Sequence, residues 1–71
     1  MKITSTKELG EAMRKRRKEL GYTQGYIAEY TGLSASFISN LENGKETAEI
    51  GKTLFLINLL GMDLEIKERG M

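Results

Sequence analysis

The sequence predicts an all-α domain of four to five short helices, followed by one C-terminal β-strand. Apolar residues recur at helical spacing up to about residue 60, and single glycines separate the periodic segments, with no proline in the chain. After Gly61 the apolar residues alternate with charged ones, which is the period of a strand. A chain of 71 residues forms one domain at most. We therefore expect a single domain over residues 1–71, with a helical core at 5–61 and a strand at 62–68.

The first helix is predicted at residues 6–20. Ser5 and Glu8 fit a capping box, in which Ser5 caps the helix and Glu8 reaches back to the Ser5 amide. Gly21 supplies the left-handed residue that ends a helix. Gly10 lowers the helix propensity, so we expect it to mark a close contact with another helix. The apolar positions at helical spacing are Leu9, Ala12, Met13 and Leu20.

The second and third helices are short and joined by a tight turn. We predict one at residues 24–30 behind the cap Thr23, and the other at residues 35–42 behind the cap Ser34. Helices of about two turns are not stable alone in water, so they must pack on each other and on the first helix. A short turn that contains a glycine, here Gly32, between two helices is typical of a helix-turn-helix.

The fourth helix, predicted at residues 48–60 behind the cap Thr47, is more apolar than a surface helix needs. The strand that follows has no second strand in the chain with which to form a hydrogen-bond ladder. We therefore expect it to pair with its own copy across a two-fold axis. The predicted dimer interface comprises Phe55, Leu59, Met62, Leu64 and Ile66.

The composition argues against an enzyme. The chain has no Cys and no His, so it lacks thiolate and imidazole groups for metal binding, nucleophilic attack or proton transfer. We expect no catalytic residues, no metal and no cofactor. No stretch reaches the roughly 20 apolar residues of a membrane span, and no signal sequence opens the chain. We expect a cytoplasmic protein with no membrane association.

The charge is unevenly distributed along the chain. Residues 1–45 hold eight basic and five acidic side chains, a net charge of +3, whereas residues 46–71 hold three basic and five acidic ones, a net charge of −2. The basic half contains the run RKRRK at residues 14–18. A basic face on a nearly neutral protein is a modest indication of polyanion binding. The alternative is an ordinary solvated helix face.

Two charged residues fall on inward-facing helical positions. Arg17 lies four residues after Met13, and Glu42 lies four residues after Ile38. A buried charge without a partner is costly, so we predict that Arg17 and Glu42 form a buried ion pair. The alternative is that both side chains extend to solvent.

The third helix carries small neutral side chains where a water-facing helix normally carries Lys and Glu. The DNA major groove admits one α-helix, and its base edges offer hydrogen-bond donors and acceptors. Small side chains that hydrogen-bond allow close approach to such edges. The predicted base-reading residues are Ala35, Ser36, Ser39 and Asn40. The alternative is that these side chains are only exposed to solvent.

Residues 9–45 resemble the Xre/Cro-type helix-turn-helix domain of phage repressors and bacterial regulators. The resemblance depends on Arg17 together with GYTQ at 21–24, IA at 27–28, TGLS at 31–34 and ISNLENGK at 38–45. It implies a lambda-repressor-like bundle and an Arg–Glu pair between the first and third helices. It also implies a set of DNA phosphate contacts, made by Thr23, Gln24, Asn43, Gly44 and Lys45.

The segment ISNLEN, the apolar fourth helix and the alternating MDLEIK resemble, more narrowly, HipB-type antitoxins. This resemblance implies a homodimer joined through C-terminal strands. It further implies a repressor that binds a palindromic operator in double-stranded DNA and also binds a kinase-type toxin. Two alternatives stay open, namely a stand-alone repressor without a toxin partner and an adaptor that uses the same fold to bind protein.

Overall fold

Four α-helices and no β-strand are present over residues 1–70, the part of the chain that the computed structural model describes. The prediction of an all-α bundle with a helix-turn-helix is confirmed, at the lower of the two predicted helix numbers. None of these helices is both long and apolar enough to cross a bilayer. In chain order they are α1 (Thr6–Glu19), α2 (Gln24–Thr31), α3 (Ala35–Glu42) and α4 (Ile50–Leu59).

The N-terminal cap of α1 differs in one detail from the predicted capping box. The Ser5 hydroxyl accepts a hydrogen bond from the Glu8 amide at 3.1 Å, as expected. The Glu8 carboxylate, however, accepts from the amide and the hydroxyl of Thr4, at 2.9 and 2.6 Å, and not from the Ser5 amide. These bonds, led by the one from the Thr4 hydroxyl, lower the pKa of Glu8 below its usual value. The cap therefore extends one residue further upstream than the motif predicts.

The turn between α2 and α3 is set by local hydrogen bonds. Gly32 ends α2 with a φ of 78°, in the left-handed region that favours glycine, and its amide donates to the Ala28 carbonyl at 2.9 Å. The Leu33 amide donates to the Thr31 hydroxyl at 3.1 Å. The Ser34 hydroxyl then caps α3 by accepting from the Phe37 amide at 3.0 Å. The crossing of the two helices is therefore fixed within three residues.

The predicted start of α4 is wrong by two residues. Thr47 lies in a turn after α3, in which the Ala48 amide donates to the Lys45 carbonyl at 3.4 Å. Because this turn precedes the helix, the Thr47 hydroxyl does not cap α4. Glu49 is the N-cap residue, and its side chain makes no capping hydrogen bond. Instead, the amide and the hydroxyl of Thr53 bind the Glu49 carbonyl, at 3.0 and 2.7 Å. The first turn of α4 is therefore held by a buried threonine inside the helix.

The apolar core lies where the four helices meet. Leu20 does not belong to it, contrary to prediction, because it follows the last turn of α1 as the C-cap residue and remains 37% exposed. All four helices contribute residues to the core, and so does Leu60, the residue after α4. Its buried members are Met13, Ile27, Ile38, Leu41, Leu56, Ile57 and Leu60.

Gly10 lies at the closest approach between α1 and the end of α3. A Cβ atom at this position would lie 2.4 Å from the Leu41 carbonyl oxygen and 2.6 Å from that of Glu42. Real Cβ atoms do not come so close to backbone atoms, so only glycine fits without a shift of one helix. The predicted close helix contact at Gly10 is confirmed.

The segment after α4 has no regular secondary structure within the described residues. The predicted strand at 62–68 and its pairing are therefore absent from the single chain, since a strand needs a ladder that this chain alone does not supply. Met62, predicted for the dimer interface, is half-buried and packs on the core. Ile66 is 95% exposed, and Leu64 is also exposed.

The direction in which this segment leaves α4 is fixed by α1. Arg16 Nε donates to the Leu60 carbonyl at 2.9 Å, which satisfies one of the free carbonyls at the end of α4. Gly61 follows with a φ of 75°, and the Met62 amide donates back to the Ile57 carbonyl at 3.1 Å. Hydrogen bonds on both sides of Gly61 therefore fix the backbone where the chain leaves the helical bundle.

Candidate nucleic-acid interface

One edge of α3 faces outward and carries the predicted base-reading residues. Ile38 and Leu41 point into the core. The helical period therefore places Ser36 and Asn40 on the opposite side of α3, with Ala35 and Ser39 beside them. Ser39 is half-buried at the border of this edge, and the other three are exposed. We call this edge the reading edge, and it consists of Ala35, Ser36, Ser39 and Asn40.

A buried ion pair fixes α3 against α1. Arg17 Nε donates to Glu42 Oε2 at 2.7 Å, and Arg17 Nη2 donates to Glu42 Oε1 at 2.9 Å. The remaining side of the guanidinium donates, through Nη1, to the Tyr22 carbonyl at 2.7 Å. Both charged side chains are buried. The bidentate geometry holds the end of α3, and with it the reading edge, in one orientation.

The ionisation of the pair follows from its contacts. Burial alone would raise the pKa of the Glu42 carboxyl, but hydrogen bonds from Arg17 and Gln24 and the Arg17 charge outweigh it. The pKa of Glu42 therefore lies below its usual value. The hydrogen bond to Glu42 raises the pKa of Arg17, against the opposing effect of burial. Both groups are charged at neutral pH.

The start of α2 contains two predicted phosphate-binding residues, and the structure uses them differently. The Thr23 hydroxyl caps the helix by accepting from the Tyr26 amide at 3.0 Å, on the exposed surface. Gln24 Nε2 donates inward to Glu42 Oε1 at 2.9 Å. The Gln24 side chain therefore belongs to the Arg17–Glu42 network in this structure, and its contact with phosphate stays a prediction. Nothing in the sequence spacing distinguished these two directions for Gln24.

The three predicted phosphate-binding residues after α3 also differ in whether they are free to contact a ligand. Asn43 and Lys45 are exposed, so their side chains are accessible to a ligand. The Gly44 amide, predicted to bind phosphate, donates to the Leu41 carbonyl at 3.0 Å and is already used. Gly44 has a φ of 84°, and its carbonyl accepts from the Thr6 hydroxyl at 2.8 Å. Its role in this structure is to join the end of α3 to the start of α1.

Three tyrosines stack along the exposed side of α2. The ring centroids of Tyr22 and Tyr26 are 5.2 Å apart, and those of Tyr26 and Tyr30 are 6.1 Å apart. The spacing of four residues predicts that Tyr26 and Tyr30 share a face, but the participation of Tyr22, which precedes the helix, is not apparent from the sequence. The stack forms an aromatic surface along the exposed side of α2.

Comparison with known sequences gives a consistent result. Residues 10–66 match the family described as "Helix-turn-helix domain". The uncharacterized HTH-type transcriptional regulator y4mF of Sinorhizobium fredii (strain NBRC 101917 / NGR234) is 36% identical over 69 residues, which cover 97% of this chain and 91% of that protein. The competence pilus inhibition repressor of Acinetobacter baylyi (strain ATCC 33305 / BD413 / ADP1) is 46% identical over 39 residues. These cover 55% of this chain and 36% of the repressor.

Solved structures of similar shape cover the whole chain. A HipB–O4 20mer complex superposes with a TM-score of 0.86 at 26% identity, over 99% of both chains. A HipA–HipB–O2–O3 complex superposes with a TM-score of 0.84 at 28% identity, again over 99% of both chains. The resemblance inferred from the motifs is thereby confirmed for the fold. The chain belongs to the helix-turn-helix domain family of the Xre type, a family of DNA-binding transcription regulators.

Proposed function

We propose that this protein is a sequence-specific transcriptional repressor that binds a palindromic operator as a homodimer. The observation that carries the proposal is the reading edge, a row of small uncharged side chains on a helix whose other face is locked into the core. An edge of this kind can enter the major groove without bulky or charged groups that would hold the helix away from the bases. The match to DNA-binding regulators supports the same function.

Each residue of the reading edge suits a particular contact. The Asn40 carboxamide can make a bidentate contact with adenine, Ser36 and Ser39 can bond to several bases, and Ala35 can contact a thymine methyl. Phosphate contacts then fix the register of the helix on the duplex. We assign these to the exposed Asn43 and Lys45 side chains and to the start of α2 at Thr23. The Gln24 side chain and the Gly44 amide, also predicted to bind phosphate, each make an internal hydrogen bond in the single chain.

We assign dimerisation to the apolar surface of α4 and the segment after it. Phe55 and Leu59 are exposed one turn apart on α4, and Leu64 and Ile66 are exposed in the segment. Two copies of this segment, paired at 62–68, would satisfy each other's backbone groups and bury these side chains. A two-fold dimer presents two recognition helices to half-sites about 34–36 Å apart, which requires a palindromic operator.

Replacement of Asn40 by alanine tests the base-reading role. We expect Asn40→Ala to weaken operator binding by about 1–3 kcal/mol and to relax the preference at one base position of each half-site. The measurement is selection of bound sequences from random duplex DNA, followed by binding assays on the selected operator. The comparison variant is Lys45→Ala, which should weaken binding to all sequences equally and reduce the salt slope by about one. An unchanged selected motif for Asn40→Ala would remove Asn40 from the reading edge.

Replacement of Ile66 by aspartate tests the dimer. In the single chain this residue is 95% exposed, so Ile66→Asp should leave the folded monomer intact. If Ile66 is buried between two copies, we expect dimerisation to weaken by about 10- to 100-fold, from a loss of about 1.5–3 kcal/mol. Sedimentation equilibrium should then show a shift towards the 8.0 kDa monomer. Glu68→Gln is the matched control in the same segment, and equal masses for the two variants would contradict this interface.

We further infer that the protein is the antitoxin of a toxin–antitoxin pair and regulates its own operon. Support comes from the similarity to a chain of the HipA–HipB–O2–O3 complex, at 28% identity over 99% of this chain and 99% of that one. The expected partner is a kinase-type toxin, and co-purification with the product of an adjacent kinase-like reading frame is the test. A protein that binds DNA without such a partner would be a stand-alone repressor. A protein with no salt-dependent shift of duplex DNA would be a protein-binding adaptor.

A further inference from the structure

A groove of about 320 Å³ runs beside the reading edge, between α3 and the first turn of α4. Its lining includes Ser36 and Asn40 of the reading edge, together with three charged residues, Lys45, Glu49 and Lys52. The groove is therefore continuous with the proposed base-reading surface. Because two lysines and one carboxylate line the groove, its net charge is positive.

The Lys52 side chain lines this groove and makes two contacts. Lys52 Nζ lies 2.7 Å from Glu49 Oε2, one turn earlier on α4. It also lies over the ring of Phe37, 5.8 Å from the ring centroid, which is within the range of a cation–π interaction. Phe37 itself packs against the core, so the ring is a fixed platform on α3. These two contacts direct a flexible side chain from α4 towards the recognition helix.

The contact with Glu49 is weak enough to be exchanged. The Lys52 and Glu49 side chains are 54% and 66% exposed, and an ion pair this open to water contributes little to stability. A DNA phosphate carries one negative charge, as the Glu49 carboxylate does, but it belongs to a dense row of charges along the duplex that attracts Lys52 more strongly. At the same time, the Glu49 charge repels that phosphate.

We propose that Lys52 binds a backbone phosphate of the duplex, and that Glu49 pairs with Lys52 in its absence and thereby weakens the binding of every duplex. The inference rests on the proposed DNA-binding function and extends the interface from α3 to α4. A lysine is suited to this role because its ammonium is a point charge on a long flexible stem. A phosphate contact positions the protein without reading sequence, so both residues act on overall affinity.

The test is the salt dependence of binding to the selected operator and to a scrambled duplex, measured by fluorescence anisotropy. We expect Lys52→Ala to weaken binding to both duplexes by about three- to tenfold and to reduce the salt slope by about two, one for each subunit of the dimer. Glu49→Gln should strengthen binding to both duplexes. In the Glu49→Gln background, removal of Lys52 should cost more than it does in the native protein, since the competing carboxylate is gone.

Lys2→Ala is the matched control, because Lys2 is an exposed lysine before α1, away from this groove and outside the basic run at 14–18. It removes the same charge and should leave the salt slope unchanged. If Lys52→Ala behaves like Lys2→Ala while the native protein binds its operator, the Lys52 assignment is wrong and the repressor function stands. If the native protein binds no duplex at all, the proposed function itself fails. Thermal melts matching the native protein would show that each variant is folded.

Discussion

Glu42→Ala should destabilise the protein by about 3–5 kcal/mol, the largest effect that we expect from a single substitution. The change leaves the buried Arg17 guanidinium without the carboxylate that it contacts at 2.7 and 2.9 Å. It also removes the acceptor of Gln24 Nε2, so three helices lose their common link. The free energy of unfolding of such a small domain is about the same size as this loss, so we expect most of the variant to be unfolded or close to unfolding at 37 °C. Urea unfolding followed by circular dichroism measures the loss.

The same carboxylate should make the fold sensitive to acid. Because the pKa of Glu42 is lowered in the folded state, its contribution is complete above the ordinary carboxyl value of 4.5. It is lost as the pH falls below that value and through the folded-state pKa. Glu42→Gln, which keeps an amide oxygen for Arg17, is the matched control and should lose less stability at neutral pH with a shallower acid dependence. A Glu42→Ala protein as stable as the native one would contradict the buried pair.

Gly10→Ala should destabilise the protein by about 1–3 kcal/mol, although alanine is the better helix former. The added methyl group would lie 2.4 Å from the Leu41 carbonyl oxygen, so α1 and α3 must move apart. Both contacted atoms belong to backbone, which cannot turn aside as a flexible side chain can. Thermal and urea unfolding of the variant should show the loss directly.

Gly51→Ala is the same chemical change, but we expect it to stabilise the protein, whereas Gly10→Ala should destabilise it. Gly51 lies in α4, and a Cβ atom there meets nothing within 4 Å. That variant should gain up to about 1 kcal/mol, because only the helix propensity changes. If both alanine variants stabilise the protein, the tight approach at Gly10 is not a constraint on the fold.

The first three helices could be predicted almost residue by residue, because their ends carry strong local signals. Ser5, Thr23 and Ser34 each accept a hydrogen bond from an amide in the first turn, where the sequence predicts the caps. The start of α4 could not be predicted in this way. Thr47 has the chemistry of a cap, but the turn after α3 uses the residues around it and delays the helix to Ile50.

The candidate site shows the same division between local and tertiary information. Helical period is sufficient to place the reading edge opposite Ile38 and Leu41, and to bring Arg17 towards Glu42. It cannot show that Gln24 turns inward, since that depends on an oxygen of Glu42 from another helix. Contacts between α3 and α4 depend equally on how distant segments meet.

The hydrogen bond from Arg16 to the last carbonyl of α4 has an evolutionary consequence. Arg16 lies on α1 and outside the reading edge, yet it fixes where the final segment leaves the bundle. In a dimer joined by that segment, substitutions at this junction would reset the distance between the two recognition helices. Spacer length and base preference could then diverge independently among descendants of one ancestral regulator.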